Sequence, residues 1–93
     1  MKITRKIKVT GFVQGVGFRM ATKRLAESLG VTGWVANGPT GELIIVAEGE
    51  SGAVQKLVGW VEEGPPGAVV KMVEVEKTEG EKGERFEIRK ARN

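Results

Sequence analysis

The hydrophobic pattern of this chain changes its period at Gly17, and no other feature constrains the fold as strongly. Residues 6–13 alternate between two kinds of position, which predicts a β-strand. Residues 18–29 instead place apolar side chains three and four positions apart, which predicts a helix. Gly30 suits the left-handed conformation that commonly ends a helix. The chain is therefore expected to begin with a strand that passes through glycines into a helix.

The middle of the chain predicts a hairpin and a second helix. Residues 31–36 and 43–47 favour β-structure, and the turn residues at 37–41 join them. Ser51 is expected to cap the second helix, and the Gly-Pro-Pro-Gly run at 64–67 to end it. The apolar stripe of this helix consists of Val54, Leu57, Val58 and Val61.

Two further strands are expected in the last third. Alternation over residues 69–76 predicts one, with a register uncertain by one residue, and Phe86 and Ile88 mark a short final strand after the charged loop 78–83. The order β-α-β-β-α-β with a short extra C-terminal strand predicts an α+β fold. We expect a ferredoxin-like split βαβ sandwich, an antiparallel sheet with two helices on one face. The 93 residues are expected to form a single domain, 1–93.

The N-terminal third of the chain is strongly basic. It contains no acid before Glu27, and its cations are Lys2, Arg5, Lys6, Lys8, Arg19, Lys23 and Arg24. Such a field favours an anionic partner, either nucleic acid or a small phosphate or carboxylate ligand, although a solvated face that only aids solubility explains the charge equally well. Because no apolar stretch approaches the ~20 residues of a membrane span, we expect a soluble, cytoplasmic protein without a membrane partner. The charge-rich composition hints at a heat-loving source.

Several residue types are missing, and their absence excludes whole chemistries. The chain has no Cys, His, Tyr or Asp, and all its acids are Glu. Without Cys and His it has no thiolate nucleophile, no imidazole base and no usual set of transition-metal ligands. Without Asp it has no aspartyl-phosphate intermediate. An enzyme of this composition must catalyse a reaction that needs little from acidic and basic side chains, and we expect no metal or cofactor.

The glycines between the first strand and the first helix form a candidate anion site. Gly15 and Gly17 allow successive N–H groups to point into one concavity, and the start of a helix adds unpaired donors. Arg19 in the first helical turn can offer a planar fork to two phosphate oxygens. The motif lacks the third glycine of a dinucleotide fingerprint and the Gly-Lys-Ser/Thr of a Walker A loop. Taken alone, the glycines explain a simple chain turn equally well.

Asn37, at the end of the second strand, is a second candidate. If the topology is as predicted, its amide could face the glycine loop and hold a water molecule, since it offers both a donor and an acceptor. Asn is also common at the start of a hairpin turn, and that reading is favoured for Asn37 in isolation.

These residues together resemble the acylphosphatases. Gly-x-Val-Gln-Gly-Val-Gly-Phe-Arg at 11–19, Leu-Gly-Val-x-Gly-Trp-Val-x-Asn at 29–37, Gly41, and the final Phe-x-Ile-Arg at 86–89 carry the resemblance, and the strand order agrees along the whole chain. Phe12 departs from the basic or polar residue expected there. The resemblance implies hydrolysis of acyl phosphates without a metal, with Asn37 orienting the attacking water and Arg19 holding the phosphate. It also implies a phosphate-binding loop made of Gln14, Gly15, Val16, Gly17, Phe18 and Arg19.

The missing side chains suit this chemistry. An acyl phosphate expels a carboxylate, which is stable at neutral pH because its pKa lies near ~4, so no general acid is required.

Two other functional interpretations of the sequence stay open. An RNA-binding module shares this order of elements, but Phe12 is the only aromatic residue that the strands at 9–13 and 43–47 supply for stacking. A carbamoyl phosphate module of a larger hydrogenase-maturation protein is the other. We expect a monomer that acts on a small acyl phosphate and binds no nucleic acid.

Overall fold

The computed structural model describes residues 1–81 and 83–90. Two helices and five strands follow one another in the predicted order. They are β1 (Lys2–Phe12), α1 (Phe18–Leu29), β2 (Thr32–Asn37), β3 (Leu43–Glu50), α2 (Ser51–Glu63), β4 (Val69–Lys77) and β5 (Phe86–Arg89). The bounds of α1 are those predicted from its helical spacing, and Gly30 ends it with a left-handed φ of 72°.

The strands form one mixed sheet in the order β4-β1-β3-β2-β5. β1 pairs antiparallel with β3 and β4, and β2 pairs antiparallel with β3. β5 lies at the opposite edge from β4 and pairs parallel to β2, so the sheet is not wholly antiparallel. The ferredoxin-like α+β architecture is confirmed, with the short extra strand added at the β2 edge.

Both helices pack on the same face of the sheet. α1 contacts β2 and β5, while α2 contacts β1, β3 and β4. Residues that face each other across paired strands share a face, and the helix-facing pairs Ile7 with Ile45 and Val35 with Ile45 are fully buried. The core between sheet and helices is therefore continuous. The helix face is also the face on which the candidate residue Asn37 lies, because it follows Val35 by two positions.

Two local predictions differ from the structure, and one register that the sequence left open is now given. β1 begins at Lys2 rather than near Lys6, because residues 2–5 pair with the end of β3 although they lack a simple alternation. Ser51 is the first residue of α2 rather than its cap, a position that Glu50 occupies without a side-chain hydrogen bond. The register of β4, which alternation left uncertain by one residue, is given by its pairing with β1 and shifts opposite Thr10 and Gly11.

Candidate active site

The loop between β1 and α1 is shaped by two glycines in left-handed conformation. Gly15 has a φ of 78° and Gly17 a φ of 77°, and Gly17 is the N-cap of α1. A Cβ added at either position would meet no described atom within 4 Å. Glycine is therefore required at positions 15 and 17 because of the left-handed backbone conformation, and not because a larger side chain would clash. The open space beside these two residues leaves the backbone accessible to a ligand.

The start of α1 favours an anion. In this helix, which is described in full, the first turn holds no acid and Gly17 offers no side-chain cap. The first N–H groups of a helix have no partner within the helix, and the helix dipole adds partial positive charge there. Phe18 anchors this end of the helix, because its ring is 1% exposed and meets Trp60 edge to face at 5.5 Å. The N-terminal end of α1 is thus fixed against the core.

Arg19 and Asn37 line the same cavity. This cavity of about 220 Å³ is lined by Val13, Gly15, Gly17, Phe18, Arg19, Met20, Asn37 and Ile88. α1 supplies Arg19, and the end of β2 supplies Asn37 from the helix face of the sheet. Among the described residues Arg19 makes no ion pair, so its guanidinium is not committed to a carboxylate. Four members of the predicted phosphate loop, from Gly15 to Arg19 without Val16, therefore line the same cavity as Asn37.

Asn37 presents an unsatisfied acceptor. Its Oδ1 is buried and has no hydrogen-bond partner among the described residues. Leaving such a group unpaired costs ~1–3 kcal/mol, and unpaired buried polar groups in native proteins are concentrated where they have a function. Asn37 therefore brings to the cavity wall an acceptor that no described residue satisfies.

Gln14 and Val16, the other two members of the predicted loop, direct their side chains elsewhere. Val16 packs against the hydrophobic core. The Gln14 Nε2 atom donates hydrogen bonds to the backbone oxygens of Gly38 at 3.3 Å and Glu42 at 3.0 Å. Gln14 thus ties the loop after β1 to the turn that follows Asn37, and only its backbone is free to contribute to an anion site.

The turn at 38–42 is held by a buried carboxylate. Glu42 is 8% exposed, and its two oxygens accept hydrogen bonds of 2.8 Å from the Thr40 hydroxyl and the Thr40 N–H. These hydrogen bonds, the Thr40 hydroxyl first, hold the pKa of Glu42 below its usual value. A Cβ on Gly38 would overlap the same carboxylate. Neither the tether through Gln14 nor the contact of Glu42 was predicted from the sequence, although the Thr-Gly-Glu run at 40–42, at the end of the predicted turn, was a local signal for the Glu42 contact.

A second cavity of about 290 Å³ lies on the other face of the sheet and also touches Asn37. Trp34 and Ile44 line it, and both project from the face away from the helices. Arg89 sits 4.9 Å from the centre of the Trp34 ring, and Glu81 joins the two through contacts of 3.0 Å to Trp34 Nε1 and 3.3 Å to Arg89. Asn37 therefore lines two cavities, one on each face of the sheet.

Two features are absent from residues 1–81 and 83–90. No three acidic side chains there lie close enough together to hold a metal ion. Neither helix in that part of the chain has the length and apolar character needed to cross a membrane.

Comparison with known proteins gives a consistent set of relatives. A sequence model of the acylphosphatase family matches residues 5–88. The chain is 53% identical over 85 residues to the acylphosphatase of Rubrobacter xylanophilus, which covers 90% of this chain and 77% of the relative.

Solved structures agree with the sequence relatives. An acylphosphatase from Coxiella burnetii superimposes with a TM-score of 0.91 at 39% identity, covering 95% of this chain and 93% of that chain. Full-length HypF in a phosphate- and nucleotide-bound form superimposes with a TM-score of 0.89 at 31% identity, covering 98% of this chain but 12% of that chain.

Proposed function

The chain belongs to the acylphosphatase family and is an acylphosphatase, and we propose that Arg19 and the loop at 14–19 bind the phosphoryl group while Asn37 orients the attacking water. One observation carries this assignment. Arg19 and Asn37, which lie 18 positions apart in the sequence, line one cavity, and the buried Oδ1 of Asn37 has no hydrogen-bond donor among the described residues.

The phosphoryl group binds where positive charge is already arranged. The Arg19 guanidinium offers two parallel N–H groups to two phosphoryl oxygens. The N–H groups of the glycine loop and of the first turn of α1 bind the remaining oxygens, in a site favoured by the helix dipole. The left-handed Gly15 and Gly17 support this role, because such backbone conformations turn successive N–H groups into one concavity.

The water is positioned by Asn37 and attacks phosphorus. Its O–H donates to Asn37 Oδ1, which leaves an oxygen lone pair directed at the phosphorus atom. The new P–O bond forms as the bond between phosphorus and the acyl oxygen breaks, and the carboxylate leaves with the electron pair. The proton of the water passes to a phosphoryl oxygen. Because the transition state of phosphoryl transfer is largely dissociative, positioning and charge stabilisation are enough and a strong base is not required.

The reaction is proposed to proceed without a metal ion. The leaving carboxylate, whose pKa is ~4, needs no protonation at neutral pH. The negative charge that a metal would otherwise neutralise is met by Arg19 and the backbone N–H groups. The sequence supports this, because it lacks the Asp, His and Cys side chains that most catalytic metal sites use.

The test is release of inorganic phosphate from benzoyl phosphate in the presence of EDTA, with the wild-type chain and Asn37→Ala compared. We expect full wild-type activity with EDTA. We expect Asn37→Ala to lower kcat by about 10²-fold or more, while the inhibition constant of inorganic phosphate stays within about twofold, because the lost contact is to water and not to phosphate. A strict magnesium requirement would refute metal independence, and an active Asn37→Ala enzyme would refute the role of Asn37.

A further inference from the structure

The cavity that holds Arg19 and Asn37 is larger than a phosphoryl group requires. Its volume of about 220 Å³ is many times the ~10–15 Å³ that is enough to hold one water molecule on the same measure. Among the described residues that line it, Arg19 alone is charged. Besides Arg19, Asn37 and the two glycines, the lining residues are the apolar Val13, Phe18, Met20 and Ile88. A ligand that fills the cavity therefore has an anionic part and an apolar part.

Met20 stands out among the apolar lining residues. Val13 and Phe18 are each 1% exposed and belong to the core, whereas Met20 is 47% exposed. It lies next to Arg19 in the first turn of α1, so its side chain borders the cavity at the solvent side rather than its floor. A thioether side chain adapts its shape to different apolar partners. Met20 is thus placed to contact the part of a substrate that extends away from the phosphoryl group.

The geometry of the reaction excludes the other cavity as the acyl site. Attacking and leaving oxygens lie roughly in line through phosphorus. Because Asn37 holds the attacking water, the acyl group leaves on the side away from Asn37. The cavity of Trp34 and Ile44 lies behind Asn37 on the opposite face of the sheet, so it is on the side of the water.

Charge decides which acyl groups fit. Arg19 is the only cation among the described residues that line the 220 Å³ cavity, and it is assigned to the phosphoryl group. A carboxylate or second phosphate on the acyl group would find no second cation among the described lining residues and would lose water contacts against Met20 and Ile88. An uncharged apolar acyl group would instead gain from burial against them.

We propose that Met20, together with Ile88 of the same cavity lining, forms the acyl subsite and determines a preference for uncharged, apolar acyl phosphates. This inference rests on the proposed function, because it takes Arg19 as the phosphoryl ligand and Asn37 as the ligand of the water.

Substrates that differ only in the acyl group test the subsite. Kinetic constants are measured with benzoyl phosphate, acetyl phosphate and succinyl phosphate for the wild-type chain, Met20→Ala, Met20→Lys, and the control variants Met72→Ala and Met72→Lys. Met72 is a matched control because it is 54% exposed but lies in β4 outside this cavity. Alanine is compatible with the helix at position 20, and circular dichroism checks that each variant is folded.

The expected results separate a subsite from a structural role. Met20→Ala raises the KM of benzoyl phosphate by about fivefold and leaves acetyl phosphate and the inhibition constant of inorganic phosphate within about twofold. Met20→Lys raises kcat/KM for succinyl phosphate relative to benzoyl phosphate by about tenfold. Both Met72 variants keep the wild-type ratios.

Other outcomes would overturn the proposal. Equal losses with benzoyl and acetyl phosphate in Met20→Ala would make Met20 a structural residue, and unchanged constants with benzoyl phosphate would exclude the contact. Phosphate release from none of the three substrates by the folded wild-type chain would overturn the proposed function, and the subsite with it.

Discussion

Arg19 is the residue whose chemistry is hardest to replace at the proposed site. A guanidinium offers two N–H groups in a fixed plane, whereas an ammonium is a compact charge on a flexible stem. We predict that Arg19→Lys raises the inhibition constant of inorganic phosphate and the KM of benzoyl phosphate by about 10- to 100-fold, because the bidentate contact is lost while the charge is kept. The measurement is competitive inhibition of benzoyl phosphate hydrolysis by inorganic phosphate.

Arg24→Lys is the matched control for that change. Arg24 lies in α1 but does not line the cavity, so the same substitution there is expected to leave both constants within about twofold. Equal effects at positions 19 and 24 would mean that general positive charge, and not a directed guanidinium, holds the phosphate.

Single residues were predictable where a backbone conformation or a charge is encoded locally. Gly15, Gly17 and Gly30 were assigned to turns and caps from the sequence, and each has a positive φ in the structure. The hydrogen bonds of the Gln14 side chain were not foreseen, because its partners are 24 and 28 positions away and two strands must first pair to bring them close. Side-chain contacts of this kind depend on the tertiary fold, which local spacing does not contain.

The glycine loop is the element whose shape the site depends on most. Gly17 has a φ of 77°, a conformation that costs L-residues ~1–2 kcal/mol, although a Cβ there would touch nothing described within 4 Å. We predict that Gly17→Ala lowers the free energy of unfolding by about 1 kcal/mol and raises the inhibition constant of phosphate, because relief of the strain turns N–H groups away from the ligand. Urea unfolding and the inhibition assay measure the two effects.

Gly59→Ala provides a control of opposite sign. Gly59 is exposed in the middle of α2, has no positive φ, and also has nothing within 4 Å of an added Cβ. Alanine there is expected to raise the free energy of unfolding by about 0.5–1 kcal/mol without a change in phosphate binding. Stabilisation by Gly17→Ala as well would contradict the conformational requirement at Gly17.

Gln14 connects two elements, the loop after β1 and the turn that follows Asn37. Its two hydrogen bonds to Gly38 and Glu42 oxygens are expected to keep Asn37 directed into the cavity. We predict that Gln14→Ala lowers kcat for benzoyl phosphate by about tenfold and the free energy of unfolding by about 1 kcal/mol, while the inhibition constant of phosphate stays within about twofold. A lower kcat with an unchanged inhibition constant of phosphate distinguishes a side chain that positions Asn37 from one that contacts the phosphoryl group.

Gln55→Ala is the control for the loss of a glutamine side chain. Gln55 is exposed on α2, away from the cavity, and its removal is expected to leave kcat unchanged. If Gln14→Ala instead weakened phosphate binding as strongly as it lowered kcat, its side chain would contact the phosphoryl group and the tether would be the wrong interpretation.

At the scale of the whole molecule, the class of fold followed from the sequence but the direction of the last strand did not. Local alternation placed a strand at Phe86–Arg89, yet nothing within four residues specifies which edge of a sheet it joins. β4 occupies the edge beside β1, so β5 pairs at the other edge, where it runs parallel to β2 and buries Phe86. Pairing at this edge brings Ile88 to the cavity.

The stability of the whole molecule is expected to depend on pH through Glu42. Its pKa is lower in the folded chain than the usual 4.5, first because the Thr40 hydroxyl donates a hydrogen bond to the carboxylate, and then because the backbone N–H groups of Glu42 and Thr40 do so. A depressed pKa means that the ionised form stabilises the fold above the unfolded pKa, and that this contribution is lost as the pH falls through the folded pKa.

We therefore predict that Glu42→Gln lowers the free energy of unfolding at pH 7 and that the difference from the wild type shrinks on acidification below about pH 4. Urea unfolding at pH 7, 5 and 3 measures it, with Glu63→Gln, at an exposed position near the end of α2, expected to change the wild-type curve little. If the difference in free energy of unfolding between the Glu42→Gln and wild-type chains stayed constant from pH 7 to pH 3, protonated Glu42 would hold the turn as well as ionised Glu42 does, and the prediction would be wrong.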